Sequence, residues 1–145
     1  MPKQDFAFFH RLRVRWAEVD RQDIVFNGHY LTYFDLAMTE YLRALGFPYP
    51  TGLLEAGSDI FVVKATVEYK ASARYDEEID IHCRVARIGR SSIQFLFEIY
   101  RGDELLVIGE NIYVNADPQT KQSAPVPEGL RDAIRRFEKT DPIQN

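Results

Sequence analysis

Cysteine is nearly absent. Cys83 is the only one in 145 residues, which excludes an internal disulfide and any zinc cluster built on cysteines. Histidine is scarce too, and His10 and His82 show no ligand spacing with other metal-binding residues, so neither a metal nor a cofactor is expected. No excess of positive charge exists: 18 Lys and Arg stand against 22 Asp and Glu, for a net charge of -4. That balance argues against a nucleic-acid binder working through bulk charge. No apolar run approaches membrane-spanning length, and the opening stretch "MPKQDFAFFHRLRVRW" has no apolar signal core. These absences together predict a cytoplasmic protein without membrane or nucleic-acid partners.

What is present fits one globular domain. Apolar residues make up 46% and charged residues 28% of the chain, and this length suffices to bury a sizeable core. Residues 8–16, "FFHRLRVRW", alternate as a strand does. After a polar stretch, Asn27 and Gly28 offer a helix N-cap. From Tyr30 the apolar positions Leu31, Phe34, Ala37, Met38, Tyr41, Leu42 and Leu45 recur at helical spacing. Gly46 is placed to end that helix, with Pro48 and Pro50 preventing its continuation. Four strand-like segments follow, over 59–70, 78–89, 92–102 and 104–117, joined by short turns that suit antiparallel hairpins. In the second, Ile79, Ile81, Cys83 and Val85 face one way and Asp80, His82 and Arg84 the other. Residues 117–127 read as a loop, and "PEGLRDAIRRFEK" as a short terminal helix. The order is an α+β layout, one long helix against an antiparallel sheet of about five strands. Such a sheet keeps exposed edges, and pairing with a second copy would hide one of them.

The segments "VRWAEVDRQDIVFNGHYLTYFDLAMTEYLRALG" and "VEYKASARYDEEIDIHCRVARIGRSSIQFLFEIYR", with "VPEGLRDAI" near the end, resemble the hotdog-fold acyl-CoA thioesterases of the 4-hydroxybenzoyl-CoA thioesterase type. The resemblance rests on an aspartate before an apolar pair, then a polar residue opening a helix with an aromatic first turn. Asp20, Ile24 with Val25, Asn27 and Tyr30 stand at those positions. It implies a hotdog fold of a single domain over 1–145, an acyl-CoA substrate, and a homodimer or dimer of dimers. It also implies that Asp20 is catalytic.

The chemistry is consistent with that reading. Thioester hydrolysis needs a base or nucleophile and a positive site for the developing oxyanion. A carboxylate supplies the first. Free N–H groups at a helix N-terminus supply the second. Residues 26–30 would present those donors, with Gly28 letting substrate approach the backbone. Asn27 reads first as the cap and could also orient water or the carbonyl, while His29 could carry a proton or line the acyl pocket but reads first as a packed histidine. Asp23 could substitute for Asp20, but a solvated loop charge is the plainer reading. Tyr30, Tyr33 and Phe34 read first as core, and Asp35 and Glu40 as partners of nearby arginines. For the anionic coenzyme A, "RVARIGRSS" supplies Arg84, Arg87 and Arg90 beside Ser91 and Ser92. Arg90 is the foremost phosphate candidate, with Lys64, Lys70 and Arg74 as possible helpers. A hotdog acyl-thioester hydratase or dehydratase, and a non-catalytic acyl-CoA-binding module, are the alternative functions.

Overall fold

The computed structural model describes residues 3–145. Five long strands, β1 (Phe8–Arg13), β2 (Asp59–Tyr69), β3 (Glu78–Ile88), β4 (Ser92–Arg101) and β5 (Glu104–Ala116), pair antiparallel in the order β1-β3-β4-β5-β2. A short sixth, β6 (Ile143–Gln144), runs parallel to the end of β3. The sheet packs around α1 (His29–Leu45), and α2 (Thr51–Glu55) and α3 (Glu128–Phe137) complete the chain. This is the expected α+β hotdog arrangement. Two elements carry no strong pattern and go beyond the sequence reading: the one-turn α2, and β6.

Helix α1 is central because its apolar residues fall three and four apart. Tyr30, Tyr33, Phe34, Ala37, Met38, Tyr41 and Leu42 are all buried, against Ile79, Ile81, Cys83 and Val85 of β3 and Phe95 and Phe97 of β4. The Phe34 and Phe97 rings stack at 4.4 Å. A Cβ at Gly109 would lie 2.3 Å from the Phe34 ring, so glycine at this point of β5 is what lets helix and sheet approach so closely. Gly46 ends the helix in the left-handed conformation, φ 88°. Helix α3 is pinned through Glu138, whose buried carboxylate accepts the Tyr41 hydroxyl and the Val85 N–H.

Two boundaries differ from the sequence reading. The strand expected over 8–16 stops at Arg13, and residues 16–18 form a 3-10 turn, because the Arg15 N–H turns to the Glu18 carboxylate. The helix opens at His29 with Gly28, not Asn27, at the cap position, and no side chain caps it. The chain enters with Gly28 already in right-handed helical geometry, which carries the Asn27 side chain into the exposed turn before the cap.

The polar row of β3 does not face water as strict alternation suggests. Asp80, His82 and Arg84 are all buried: Arg11 of β1 binds Asp80 through two hydrogen bonds, and Phe6, from the segment before β1, packs on His82. Lys3 fastens that segment by donating to the Gly102 carbonyl, 2.9 Å away. His82 lies among the rings of Phe6, Phe9 and Tyr100. Neither of its ring nitrogens has a hydrogen-bond partner among the described residues.

Burial pushes the His82 pKa down to about 4, against the opposing influence of Asp80. The unfolded chain then binds the proton more readily, so the stability that neutral His82 confers is complete above about pH 6.5 and lost as pH falls from there toward 4. The loss should approach about 3 kcal/mol. In urea titrations the difference in stability between wild type and His82→Phe should change by that amount across this window. Parallel pH profiles for the two proteins would contradict the assignment.

Candidate active site

A miniature hairpin carrying Asp20 leads into α1. The Phe26 N–H donates to the Glu18 carbonyl at 2.9 Å, Val19 bridges Val25, and the Asp20 N–H donates to the Ile24 carbonyl at 2.9 Å. The turn between is tight, with Asp23 at φ 63°, a left-handed position that Asp tolerates better than most residues. One side of the hairpin is bound to the segment before β3: Ile24 bridges Arg74, and the Val25 N–H donates to the Ala73 carbonyl at 2.9 Å. The partly exposed Asp20 carboxylate accepts the Gln22 N–H at 2.8 Å, the Asx turn that short acidic side chains favour.

Glu18 anchors this hairpin, and the sequence reading passed it over. Its carboxylate accepts the Tyr33 hydroxyl at 3.0 Å and the Arg15 N–H at 2.8 Å, and pairs with the Arg15 guanidinium at 2.6 Å. Burial acts to raise the Glu18 pKa, but the hydrogen bonds from Arg15 and Tyr33 outweigh it and hold the carboxyl below its ordinary value. Tyr33 comes from the second turn of α1 and is fully buried, so the hairpin and the helix are fixed to each other. The one local signal is the Arg15-x-x-Glu18 spacing, which lets the two residues cap the turn between them.

Asp20, Arg21, Gln22 and Phe26 line one cleft of about 550 Å³. Immediately after Phe26, the N–H groups of Asn27 and Gly28 have no hydrogen-bond acceptor among the described residues, whereas those of His29 and Tyr30 donate to the carbonyls of Phe26 and Asn27. His29 is partly exposed and meets Phe26 edge to face at 5.6 Å. Gly28 has a steric role of its own: an added Cβ would come 2.9 Å from the Phe26 ring. Asp20, Asn27, Gly28 and His29 are thus brought to one end of the fold.

Arg87, Arg90, Ser91 and Ser92 are not brought there within one chain. They sit at the last residues of β3 and the turn into β4, while the Asp20 hairpin is bonded to the segment preceding β3. That strand has 11 residues and so spans roughly 35 Å. Arg84 is buried mid-strand, and Lys64 and Lys70 are engaged with Glu110 and Glu68. Only Arg74 of the basic helpers adjoins the hairpin.

A second cleft, of about 300 Å³, lies between α1 and the first half of β2, with Met38, Ile60 and Val62 beside Asp35 and Tyr113. Asp35 accepts the Tyr113 hydroxyl at 2.7 Å and so is not the arginine partner expected, whereas Glu40 does pair with Arg43. Among the described residues, no group of three or more His, Cys, Asp and Glu is placed to hold a metal, and no helix is long and apolar enough to cross a membrane.

Known proteins share this fold. The acyl-CoA thioesterase YbgC of Haemophilus influenzae is 32% identical over 103 residues, 70% of this chain and 75% of the relative. A solved structure from Aquifex aeolicus superposes with a TM-score of 0.82 at 25% identity, covering 88% of this chain and 98% of the other. A thioesterase-superfamily structure from Jannaschia superposes at 0.86, covering 97% of this chain and 99% of the other, at 22% identity that speaks for the fold alone.

Removing the Glu18 carboxylate leaves the Tyr33 hydroxyl buried without an acceptor, which costs about 1–3 kcal/mol. Glu18→Ala should lose that stability in chemical denaturation, and Tyr33→Phe in the same chain should recover part of it. Additive losses in the double variant would show that the two side chains do not act together.

The Thioesterase superfamily model matches residues 22–108, more than half of the chain, and the chain belongs to that superfamily.

Proposed function

We propose that this protein hydrolyses an acyl-CoA thioester to a carboxylic acid and free CoA, with Asp20 as general base or nucleophile. The observation that carries the reading is the pairing of a partly exposed carboxylate with two unengaged backbone N–H groups, Asn27 and Gly28, at the start of α1. Membership of the superfamily supports it, as does a relative named an acyl-CoA thioesterase.

In this reading the thioester carbonyl oxygen points at the helix start, where unbonded N–H groups and the helix dipole favour negative charge. Asp20 either takes a proton from water as that water attacks the carbonyl carbon, or attacks the carbon itself to form an anhydride that water then opens. The C–S bond breaks with its electron pair on sulfur, and CoA departs as a thiolate that is protonated in solution. A donor to such an oxyanion is worth on the order of 2.7 to 4 kcal/mol at the transition state. His29 borders the acyl group, which extends along α1 toward the cleft between that helix and β2.

The CoA phosphates require basic groups at the same end as Asp20, and a second copy supplies them. Strand β2 is an edge strand with Val62 54% and Val63 63% exposed, an apolar edge that pairing would cover. Two identical edges related by a two-fold axis pair antiparallel. That pairing brings the β3–β4 turn of one copy, two strands in from β2, to the end where the other copy holds Asp20. Arg87, Arg90, Ser91 and Ser92 of the second copy then meet the phosphates, as a dimer or a dimer of dimers.

Asp20→Asn should lower kcat toward acyl-CoA by about 10²- to 10⁴-fold, with the circular dichroism spectrum and CoA affinity unchanged. Undiminished hydrolysis removes Asp20 from the mechanism. Binding of CoA esters without turnover by the wild-type protein, across short, long and aromatic acyl groups, would instead mark a binding module.

A further inference from the structure

The Asn27–Gly28 peptide is held from one side only. Its carbonyl oxygen accepts two hydrogen bonds, from the Tyr30 N–H at 3.3 Å and from the Tyr69 hydroxyl at 3.1 Å. In a trans peptide the N–H lies opposite the C=O, and the cis bond in this chain is elsewhere, at Tyr49–Pro50. Fixing the carbonyl therefore fixes the direction of the Gly28 N–H, which points away from these donors and has no acceptor of its own among the described residues. A carbonyl that accepts hydrogen bonds also polarises its peptide and makes the N–H on the far side a stronger donor.

Tyr69 is well placed to do this. It ends β2, and its ring packs edge to face on Tyr30 at 5.7 Å. The Tyr30 hydroxyl in turn accepts the Ala73 N–H at 3.1 Å. The two rings and the backbone after β2 thus form one rigid support under the helix start, although Tyr69 is itself 51% exposed.

We propose that Tyr69 is the positioning residue for the oxyanion donor: by clamping the Asn27 carbonyl it sets the direction and strength of the Gly28 N–H that receives the thioester oxygen. This rests on the thioesterase reading above. Tyr69 touches no reacting atom and acts through the peptide it holds. The geometry also accounts for a tyrosine here rather than a phenylalanine, because only the hydroxyl reaches the carbonyl.

Tyr69→Phe keeps the ring on Tyr30 and deletes the hydroxyl alone. With acetyl-CoA, hexanoyl-CoA and benzoyl-CoA as probes, kcat on whichever is turned over should fall about tenfold, less than for deletion of a direct donor, while KM stays within about twofold of wild type. A support that merely held the fold would not separate kcat from KM in this way. Independently of any substrate, the carbonyl carbon resonance of Asn27 should move in the variant while those of the α1 interior stay in place. An unmoved Asn27 carbon, or an unchanged kcat in an active enzyme, overturns the proposal. If the wild type hydrolyses none of the three probes, the thioesterase reading falls and takes the catalytic part of this inference with it, whereas the Asn27 carbon still decides whether the clamp exists.

Discussion

The contact on which the rest depends is the one between Glu18 and Tyr33. It joins the loop that carries Asp20, the proposed base or nucleophile, to a helix whose first amides have no acceptor among the described residues. Without it, the hairpin of residues 18–26 would rely on its backbone bonds to the segment before β3, on Val25 in the core and on the Phe26–His29 contact. The bond is buried, between a carboxylate and a hydroxyl, where dielectric screening is weak and a charge-assisted hydrogen bond is stronger than in water. The exposed Arg15 arm of the same cluster contributes little beyond orientation.

The remainder of the fold keeps that helix start rigid and accessible. Helix α1 is surrounded by sheet along its apolar stripe, and the Gly109–Phe34 approach sets how close the two layers lie. The N-terminal end of α1 directly follows the hairpin whose Asp20, Arg21, Gln22 and Phe26 line a cleft. A fold that buries one face of a helix but leaves its first amides unbonded offers a ready position for a developing negative charge. This is a property of the backbone, so side chains around it are free to vary and to choose among acyl groups.

Much of the architecture is legible in the sequence because it rests on period. The three-and-four spacing from Tyr30 to Leu42 and the alternation from Ile79 to Val85 each demand one kind of element, and Gly46 and the turn residues mark where the elements stop. Asp20 is legible by resemblance, with its neighbours at the helix start. What was missed depends on contacts that sequence spacing does not encode. Glu18 looks like a loop charge until Tyr33 is seen beneath it, and Asp35 looks like half of an ion pair until Tyr113 reaches it across the sheet. Asn27 has the composition of a cap, but the chain has already entered helical geometry at Gly28. His82 sits on the polar side of an alternating strand, yet Phe6 from the segment before β1 packs on it. Arg90 belongs to a motif that reads as part of the site, while the length of β3 separates it from Asp20 in its own chain.

In the proposed mechanism the amides of Asn27 and Gly28 grip a thioester carbonyl beside Asp20. That grip is tested most directly by difference infrared spectroscopy of a 13C=O-labelled acyl-CoA bound to the slow Asp20→Asn protein. Polarisation by two amide donors should move the carbonyl stretch to lower frequency than in water. A bound thioester whose carbonyl absorbs at its solution frequency or above would contradict the account.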